Sequence, residues 1–210
     1  MEPIDITGIN WKLTLPTGSA GKPTELTVGE FSKLKNDFFF IQNNALVMHA
    51  PCNGFTTPNS TYPRCELREI IGINDAAWDC SKGTHSMIYK ISCNHLPKNK
   101  PQLVMGQIHG TSDDIIEIRL TGSHLEVIHN STVYGTLLTN YKLGTFIEIK
   151  IIAEKNQINV TYLNKTITVK PKTTKGFYFK VGCYVQSNAS KGDGNDYGEI
   201  SLQKVTVSHK

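Results

Sequence analysis

Short apolar runs dominate the chain, and most of them alternate with polar residues at every second position. β-Branched and aromatic residues are concentrated in these runs, and Gly, Asn, Pro and Asp separate one run from the next. This pattern predicts β-strands, because successive side chains of a strand point to opposite sides of the sheet. The strands predicted in this way are residues 11–15, 38–42, 45–49, 87–92, 115–120, 146–152, 158–163 and 200–208.

Helical periodicity is confined to one short segment, residues 28–35, where a single helical turn is predicted. The chain contains no internal repeat, low-complexity stretch or linker, so residues 1–210 are expected to form one domain. Many short strands in one domain favour two packed antiparallel sheets. The predicted fold class is therefore all-β, a β-jelly roll or two-sheet antiparallel sandwich with a concave groove that suits an extended polymer.

Three further segments, residues 62–69, 107–109 and 178–186, alternate chemically active polar side chains with apolar or small ones. Alternate side chains share one face of a strand, so each segment has a polar and a core-facing side. If the three strands are neighbours, their polar sides form one face, which contains Arg64, Glu66, Arg68, Gln107, His109, Lys180, Gly182, Tyr184 and Gln186. Several cations and one carboxylate suit an anionic ligand. The alternative is the ordinary solvent-facing polarity of an antiparallel sheet.

The overall charge and hydropathy of the chain exclude some classes of partner. The formal net charge is +4, and no basic run is interleaved with aromatic residues, so nucleic-acid binding is not expected. No apolar run approaches the roughly 20 residues of a membrane span, so no membrane contact is expected. The first residues lack the pattern of a signal peptide. A secreted protein whose signal has been removed is the preferred interpretation, and a cytosolic protein is the alternative.

The five cysteines leave the disulfide pattern open. Cys65 and Cys183 occupy core-facing strand positions, where each is either a buried thiol or half of a disulfide, and Cys80 and Cys93 could pair. The acidic turn at residues 192–196 lacks the ligand spacing of a calcium loop, so a plain Gly/Asp turn is predicted and no metal is expected.

The polar face supports one of two ways of cleaving a polysaccharide. Hydrolysis normally needs two carboxyl groups across the scissile bond. The face supplies only Glu66, which lies between two arginines and is expected to form an ion pair. Glu117 and Asp114 belong to a separate apolar strand region and are predicted to be solvated surface. Hydrolysis is therefore disfavoured.

β-Elimination of a polyuronate has different requirements, and the face contains all of them. The reaction needs a base for the C5 proton, an acid for the departing O4 and donors that neutralise the C5 carboxylate. Arg64 and Gln107 can bind the carboxylate and stabilise the charge that grows during proton removal. His109 can accept a proton near neutral pH, and the Tyr184 phenol can donate one.

The three segments also resemble, in their order along the chain, the signature segments of polysaccharide lyase family 7, the alginate lyases. They read R-C-E-L-R at 64–68, Q-I-H at 107–109 and Y-F-K-V-G-C-Y-V-Q at 178–186. Residues 10–16 and 196–200 resemble the opening and closing strands of the family. The resemblance therefore covers nearly the whole chain.

This resemblance implies a β-jelly roll that binds alginate, an anionic polysaccharide, and cleaves it by β-elimination without an obligatory metal or other cofactor. It assigns carboxylate neutralisation to Arg64 and Gln107. It makes His109 the base or an orienting partner, and Tyr184 the group that protonates the leaving oxygen. The resemblance assigns substrate binding or support of the site to Glu66, Arg68, Lys180 and Gln186. A monomer is expected.

The expected block preference depends on the same resemblance, and two alternative functions stay open. In this family, Ile between the Gln and His residues is associated with cleavage of guluronate-containing blocks, so Ile108 favours guluronate or mixed blocks. A glucuronan lyase on the same fold and a non-catalytic polyuronate-binding module are the alternatives.

Overall fold

Nearly all regular structure in the protein is β-strand. The computed structural model describes residues 10–31, 34 and 36–210. It contains one helical turn, α1 (Val28–Phe31), and one 3₁₀ turn (Ala189–Lys191). The strands are β1 (Asn10–Ser19), β2 (Lys22–Thr27), β3 (Phe39–Gln42), β4 (Ala45–Pro51), β5 (Arg64–Ile71), β6 (Asn74–Asp75), β7 (Thr84–His95), β8 (Gln102–His109), β9 (Asp114–Thr121), β10 (His124–His129), β11 (Thr132–Leu138), β12 (Ile147–Glu154), β13 (Gln157–Tyr162), β14 (Lys165–Val169), β15 (Tyr178–Val185) and β16 (Tyr197–His209).

The strands form two antiparallel sheets with a shared core between them. Within the described residues the first sheet has nine strands in the order β11-β10-β9-β8-β15-β5-β1-β2, with β6 paired to β5 at its side. The second has seven strands in the order β14-β13-β12-β7-β16-β4-β3. The all-β, two-sheet prediction is confirmed.

The two sheets differ in how their outer faces are covered. In β12 the burial alternates strictly at its start: Ile147, Ile149 and Ile151 are buried, whereas Glu148 and Lys150 are exposed. Seven of the eight residues of β15 are buried, on both faces of the strand. The outer face of the first sheet is therefore partly enclosed where β15 crosses it, and this enclosure forms the groove described below.

The predicted strands all occur, and the strands that were not predicted include three at or beside sheet edges, β10, β11 and β14. The segment at 28–35 contains α1, while residues 32, 33 and 35 of that prediction lie outside the described residues. Strands such as β11 and β14 were not predicted because their exposed, Thr- and Lys-containing sequences have weak alternation. In the described part of the chain, no helix is long and apolar enough to cross a membrane.

The acidic turn at residues 192–196 serves the neighbouring loop. Asp193 accepts hydrogen bonds from the backbone amides of Asn99 and Lys100, and Asp196 accepts one from the backbone amide of Lys98. Charge-assisted bonds of this kind fix a loop strongly. No group of three or more His, Cys, Asp or Glu side chains within residues 10–31, 34 and 36–210 is arranged to hold a metal ion.

All five cysteines are buried free thiols, so the pairing considered for Cys80 and Cys93 does not occur. Burial raises the pKa of the Cys52 and Cys93 thiols to about 12, which leaves them protonated and unreactive at neutral pH. We therefore expect a reducing agent to leave the thermal midpoint of unfolding unchanged. Thiol titration should find five reactive groups in denaturant without a reductant. Fewer than five would show that a disulfide forms.

Candidate active site

The three polar segments lie on adjacent strands, which is the condition for a shared polar face. In the first sheet β15 lies between β8 and β5. The register places Lys180 of β15 beside Gln107 on one side and Arg68 on the other, and it pairs Tyr184 with Arg64. A bulge in β15 follows Val181, and Gly182 adopts a φ of 153°, a conformation that favours glycine. The polar sides of the three strands therefore form one continuous face.

Glu66 lies at the centre of this face and binds three of its neighbours. It is only 1% exposed. One carboxylate oxygen accepts from Lys180 Nζ at 2.5 Å and from Arg64 Nη1 at 3.1 Å, and the other accepts from Gln107 Nε2 at 2.5 Å. Burial alone would raise the pKa of Glu66, but Lys180 and Arg64 outweigh burial and hold it below its usual value. Glu66 is thus an ionised anchor with both oxygens occupied, which agrees with the predicted ion-pair role.

The cations around Glu66 outnumber it. Burial and the nearby Arg64 charge lower the pKa of Lys180 to about 8, although Glu66 opposes this shift. Lys180 therefore remains mostly protonated at neutral pH. Arg68 pairs with Asp75 at 3.0 Å, and that aspartate is half exposed. The three strands that form the face therefore carry more cations than acids, which suits an anionic ligand, although acidic side chains of neighbouring segments also line the groove.

His109 is held in one orientation by its backbone and by an aromatic stack. Its Nδ1 lies 2.7 Å from the Gly110 carbonyl oxygen, which can only accept, so Nδ1 carries the proton and Nε2 has a free lone pair. The ring stacks on Tyr178, whose other neighbour is the Arg68 guanidinium, 4.1 Å from the ring centroid. Burial, with the charge of Lys180, lowers the pKa of His109. His109 is therefore a neutral base at neutral pH.

The Tyr184 hydroxyl is positioned by a serine that sequence analysis did not single out. Ser60 Oγ lies 3.0 Å from Tyr184 Oη and donates its one hydrogen to the Tyr62 carbonyl oxygen. The phenol must then donate to Ser60. The Arg64 guanidinium lies 3.7 Å from the centroid of the Tyr184 ring. Both contacts fix the phenol as a proton donor at the surface of the face.

One groove runs over this face and collects most of the predicted residues. Of the eight candidates, those lining the groove are Arg64, Arg68, Gln107, His109, Lys180 and Tyr184. Glu66 lies beneath the groove floor. Gln186 does not line the groove: it is 9% exposed, and its Nε2 has no hydrogen-bond partner in the described structure.

The prediction that Glu117 is solvated surface is wrong. Glu117 lines the groove and is only 8% exposed, because β9 pairs directly with β8 and places it opposite Gln107. The alternation of β9 contained a usable signal, since Ile116 and Ile118 face the core and Glu117 faces away from it. Tyr178 was also missed, although it has the same parity as Lys180 and Tyr184.

Comparisons with known proteins agree with this geometry. The family model described as alginate lyase matches residues 4–209. The structure of alginate lyase AlgAT5 from polysaccharide lyase family 7 has a TM-score of 0.90 and 42% identity, covering 96% of this chain and 95% of that one. The chain belongs to the family 7 alginate lyases.

Two further solved structures support the same assignment. The alginate lyase from Corynebacterium sp. has a TM-score of 0.88 and 36% identity, covering 96% of this chain and 95% of its own. A variant of the family 7 alginate lyase A1-II′, in complex with a GGMG substrate, has a TM-score of 0.82 and 26% identity, covering 96% and 93%. The comparison with curated proteins found no match. This protein is therefore a polysaccharide lyase with the jelly-roll fold of its family.

The environment of His109 makes the pH dependence of the lyase testable. A base must be neutral to accept a proton, and the pKa of His109 lies below the ordinary value of about 6.5. We expect the acidic limb of kcat/KM to fall at a pH below about 6.5, and His109→Ala to lose most turnover. A pH–rate profile between pH 5 and pH 9 tests this. An acidic limb of kcat/KM centred above pH 7 would contradict the assignment of His109 as the base.

The contact between Ser60 and Tyr184 gives a second testable result. Ser60→Ala removes the acceptor that orients the phenol, and we expect kcat to fall by about fivefold with little change in KM, as the loss of one hydrogen bond would do. Ser112→Ala is a matched control, because Ser112 also lines the groove and forms no hydrogen bond with Tyr184 in the described structure. A change in KM alone would show that Ser60 serves binding instead.

Proposed function

We propose that this lyase depolymerises alginate by β-elimination and acts on guluronate or mixed blocks. One observation carries the proposal: a neutral His109 with a free Nε2 and a proton-donating Tyr184 share one groove with three cations. That set supplies a base, an acid and carboxylate-binding groups in a single site. It matches the needs of elimination from a uronate.

The substrate carboxylate is expected to bind between Arg64 and the amide of Gln107. One hydrogen of the Gln107 amide is held by Glu66, which leaves the second free to donate to the ligand. When the C5 proton leaves, negative charge spreads from C5 onto this carboxylate. The preorganised cations and amide stabilise that charge without reorganising, in the manner of an oxyanion hole.

The elimination itself uses one base and one acid. The base removes the C5 proton, the electron pair forms the C4–C5 double bond, and the C4–O4 bond breaks. Tyr184 gives its proton to the departing O4. Because guluronate and mannuronate are C5 epimers, their protons leave from opposite ring faces. We assign His109 as the base for one epimer. For the other, Tyr184 must start as the phenolate, so that it takes the C5 proton and then gives that proton to O4.

The block preference rests on the sequence resemblance and on related structures. Ile108 lies between Gln107 and His109 and is fully buried, so it acts through packing and not through contact with the polymer. Variants of lyase A1-II′ hold a GGMG substrate and a GGG product, in the usual notation for guluronate (G) and mannuronate (M). Both ligands favour guluronate-containing chains.

Secretion and a monomeric state stay predictions from the sequence.

The preference is tested by offering separate polymers to the purified enzyme. Polyguluronate, polymannuronate and glucuronan are each incubated without added metal, and the ultraviolet absorbance of the new double bond is followed. A faster rise on polyguluronate than on polymannuronate supports the proposal. A rise in absorbance only on glucuronan would identify a glucuronan lyase. Binding of all three polymers without any rise in absorbance would identify a non-catalytic module.

A further inference from the structure

Glu117 is a buried acid in the groove that the proposed elimination does not use. It lies on β9 directly opposite Gln107 and next to Ile128 of β10. Opposed residues of neighbouring strands have Cβ atoms about 5 Å apart, so Glu117 flanks the group that binds the substrate carboxylate. The residue is 8% exposed, and its carboxyl group forms no hydrogen bond or ion pair in the described structure. A buried acid without a partner in a ligand groove indicates that the ligand supplies the partner.

The charges around Glu117 do not neutralise it. Burial, followed by the negative charge of Asp114, raises the pKa of Glu117 to about 7. Arg119 on the same strand opposes the shift, but its guanidinium is directed to Glu126 of β10 at 3.8 Å. On β5, Glu66 raises and Arg64 lowers the same pKa. Glu117 is therefore partly protonated at neutral pH.

We propose that Glu117 is a substrate-binding residue that acts in its protonated form and donates a hydrogen bond to the polyuronate, so that binding takes up a proton. This inference rests on the proposed function, because it needs an anionic sugar chain in the groove. The donor would serve a carboxylate or hydroxyl oxygen of the bound chain. No bond of the substrate is changed by this step.

The same group opposes binding once it is ionised. A carboxylate beside the bound uronates repels them, and the groove around Glu117 is too enclosed for solvent to screen that repulsion fully. If only the protonated form binds, affinity falls roughly tenfold for each pH unit above the pKa of the free enzyme. His109 and Lys180 also gain protons more readily beside an anion, so the contribution of Glu117 must be measured as a difference.

The experiment compares proton uptake by matched variants in an inactive background. Tyr184→Phe enzyme, with and without Glu117→Gln, is titrated with tetraguluronate at pH 7.5 by calorimetry in buffers of different ionisation enthalpy. The amide keeps a hydrogen-bond donor but cannot titrate. Glu25→Gln is the control, because Glu25 lines the same groove and is paired with Lys12 at 3.1 Å.

We expect the parent and the Glu25→Gln variant to take up about three quarters of a proton more than the Glu117→Gln variant, because a group whose pKa is about 7 is mostly ionised at pH 7.5. In the otherwise wild-type enzyme, Glu117→Gln should flatten the rise of KM between pH 6 and pH 8 while leaving kcat within about threefold. If the amide is not tolerated, Glu117→Leu tests the same difference in proton uptake.

Three results would overturn the inference, and they are distinguishable. Equal proton uptake with and without Glu117 would refute the role of Glu117 and leave the proposed function standing. Loss of kcat without change in affinity would move Glu117 into the chemical step. Failure of the Tyr184→Phe parent to bind any uronate oligosaccharide would refute the proposed function together with the inference.

Discussion

Tyr184→Phe is expected to lower kcat by about a thousandfold while leaving substrate affinity nearly unchanged. A positioned acid or base contributes about 10²–10⁴ to a rate, and Tyr184 serves as acid for both epimers in the proposed mechanism. Affinity is retained because only the hydroxyl is lost, and the ring keeps its contact with Arg64. Steady-state kinetics, together with calorimetric binding of an alginate oligosaccharide, measure the two effects separately.

Tyr62→Phe provides the matched control for this experiment. The Tyr62 hydroxyl accepts a hydrogen bond from Lys100 Nζ at 3.0 Å and does not line the groove. Its loss should leave kcat within about twofold. Turnover of the Tyr184→Phe enzyme at the wild-type rate would refute the role assigned to the phenol.

Glu66→Gln is expected to damage both stability and activity. The substitution leaves Lys180 and Arg64 buried without their counter-ion, and breaking a buried ion pair in this way typically costs about 3–5 kcal/mol. The same loss frees Lys180 and Gln107 from their fixed positions, so kcat/KM should fall by at least about a hundredfold. Urea unfolding and initial-rate kinetics measure these effects.

The pH dependence of stability provides a second test of Glu66. Its pKa is lower in the folded state, so its stabilising contribution is present above the unfolded value of about 4.3 and is lost as pH falls through the folded value. Glu66→Gln should remove this part of the acid sensitivity. Asp75→Asn is the control: Asp75 pairs with Arg68 but is half exposed, so its loss should cost at most about 1 kcal/mol. Equal losses for both variants would contradict the central role of Glu66.

The sequence was sufficient to predict the polar face but not everything that encloses it. Two-residue alternation predicts which side chains of one strand share a face, and that is why Arg64, Gln107, His109 and Tyr184 were each assigned correctly to the polar side of their strand. That the three strands form one site followed from the resemblance to the family. Alternation says nothing about which strand lies next in the sheet. The pairing of β9 with β8 buries Glu117 beside Gln107, and it is a tertiary contact between strands that no local pattern specifies.

Loop and core features were less predictable, because they also depend on contacts between distant parts of the chain. Ser60 lies in an irregular loop, and only the folded chain brings it to Tyr184, 124 positions away. Cys65 and Cys183 were correctly placed in the core, but their sequence positions could not distinguish a thiol from a disulfide. The two lie opposite one another in register and remain free.

Glu117 also affects how the reaction class should be tested. A groove with two carboxyl groups would satisfy the simplest requirement of a glycoside hydrolase. Here both oxygens of Glu66 are occupied by buried donors, so Glu66 is not free to act as a nucleophile or base. Elimination and hydrolysis nevertheless both create a new reducing end, and only elimination creates a double bond.

The most direct test therefore counts both products in one reaction. Purified enzyme is incubated with alginate, and new reducing ends and new C4–C5 double bonds are measured in the same samples over time. Elimination through His109 and Tyr184 predicts one double bond for each new reducing end throughout the reaction. Reducing ends that accumulate without double bonds would show hydrolysis and would contradict the mechanism.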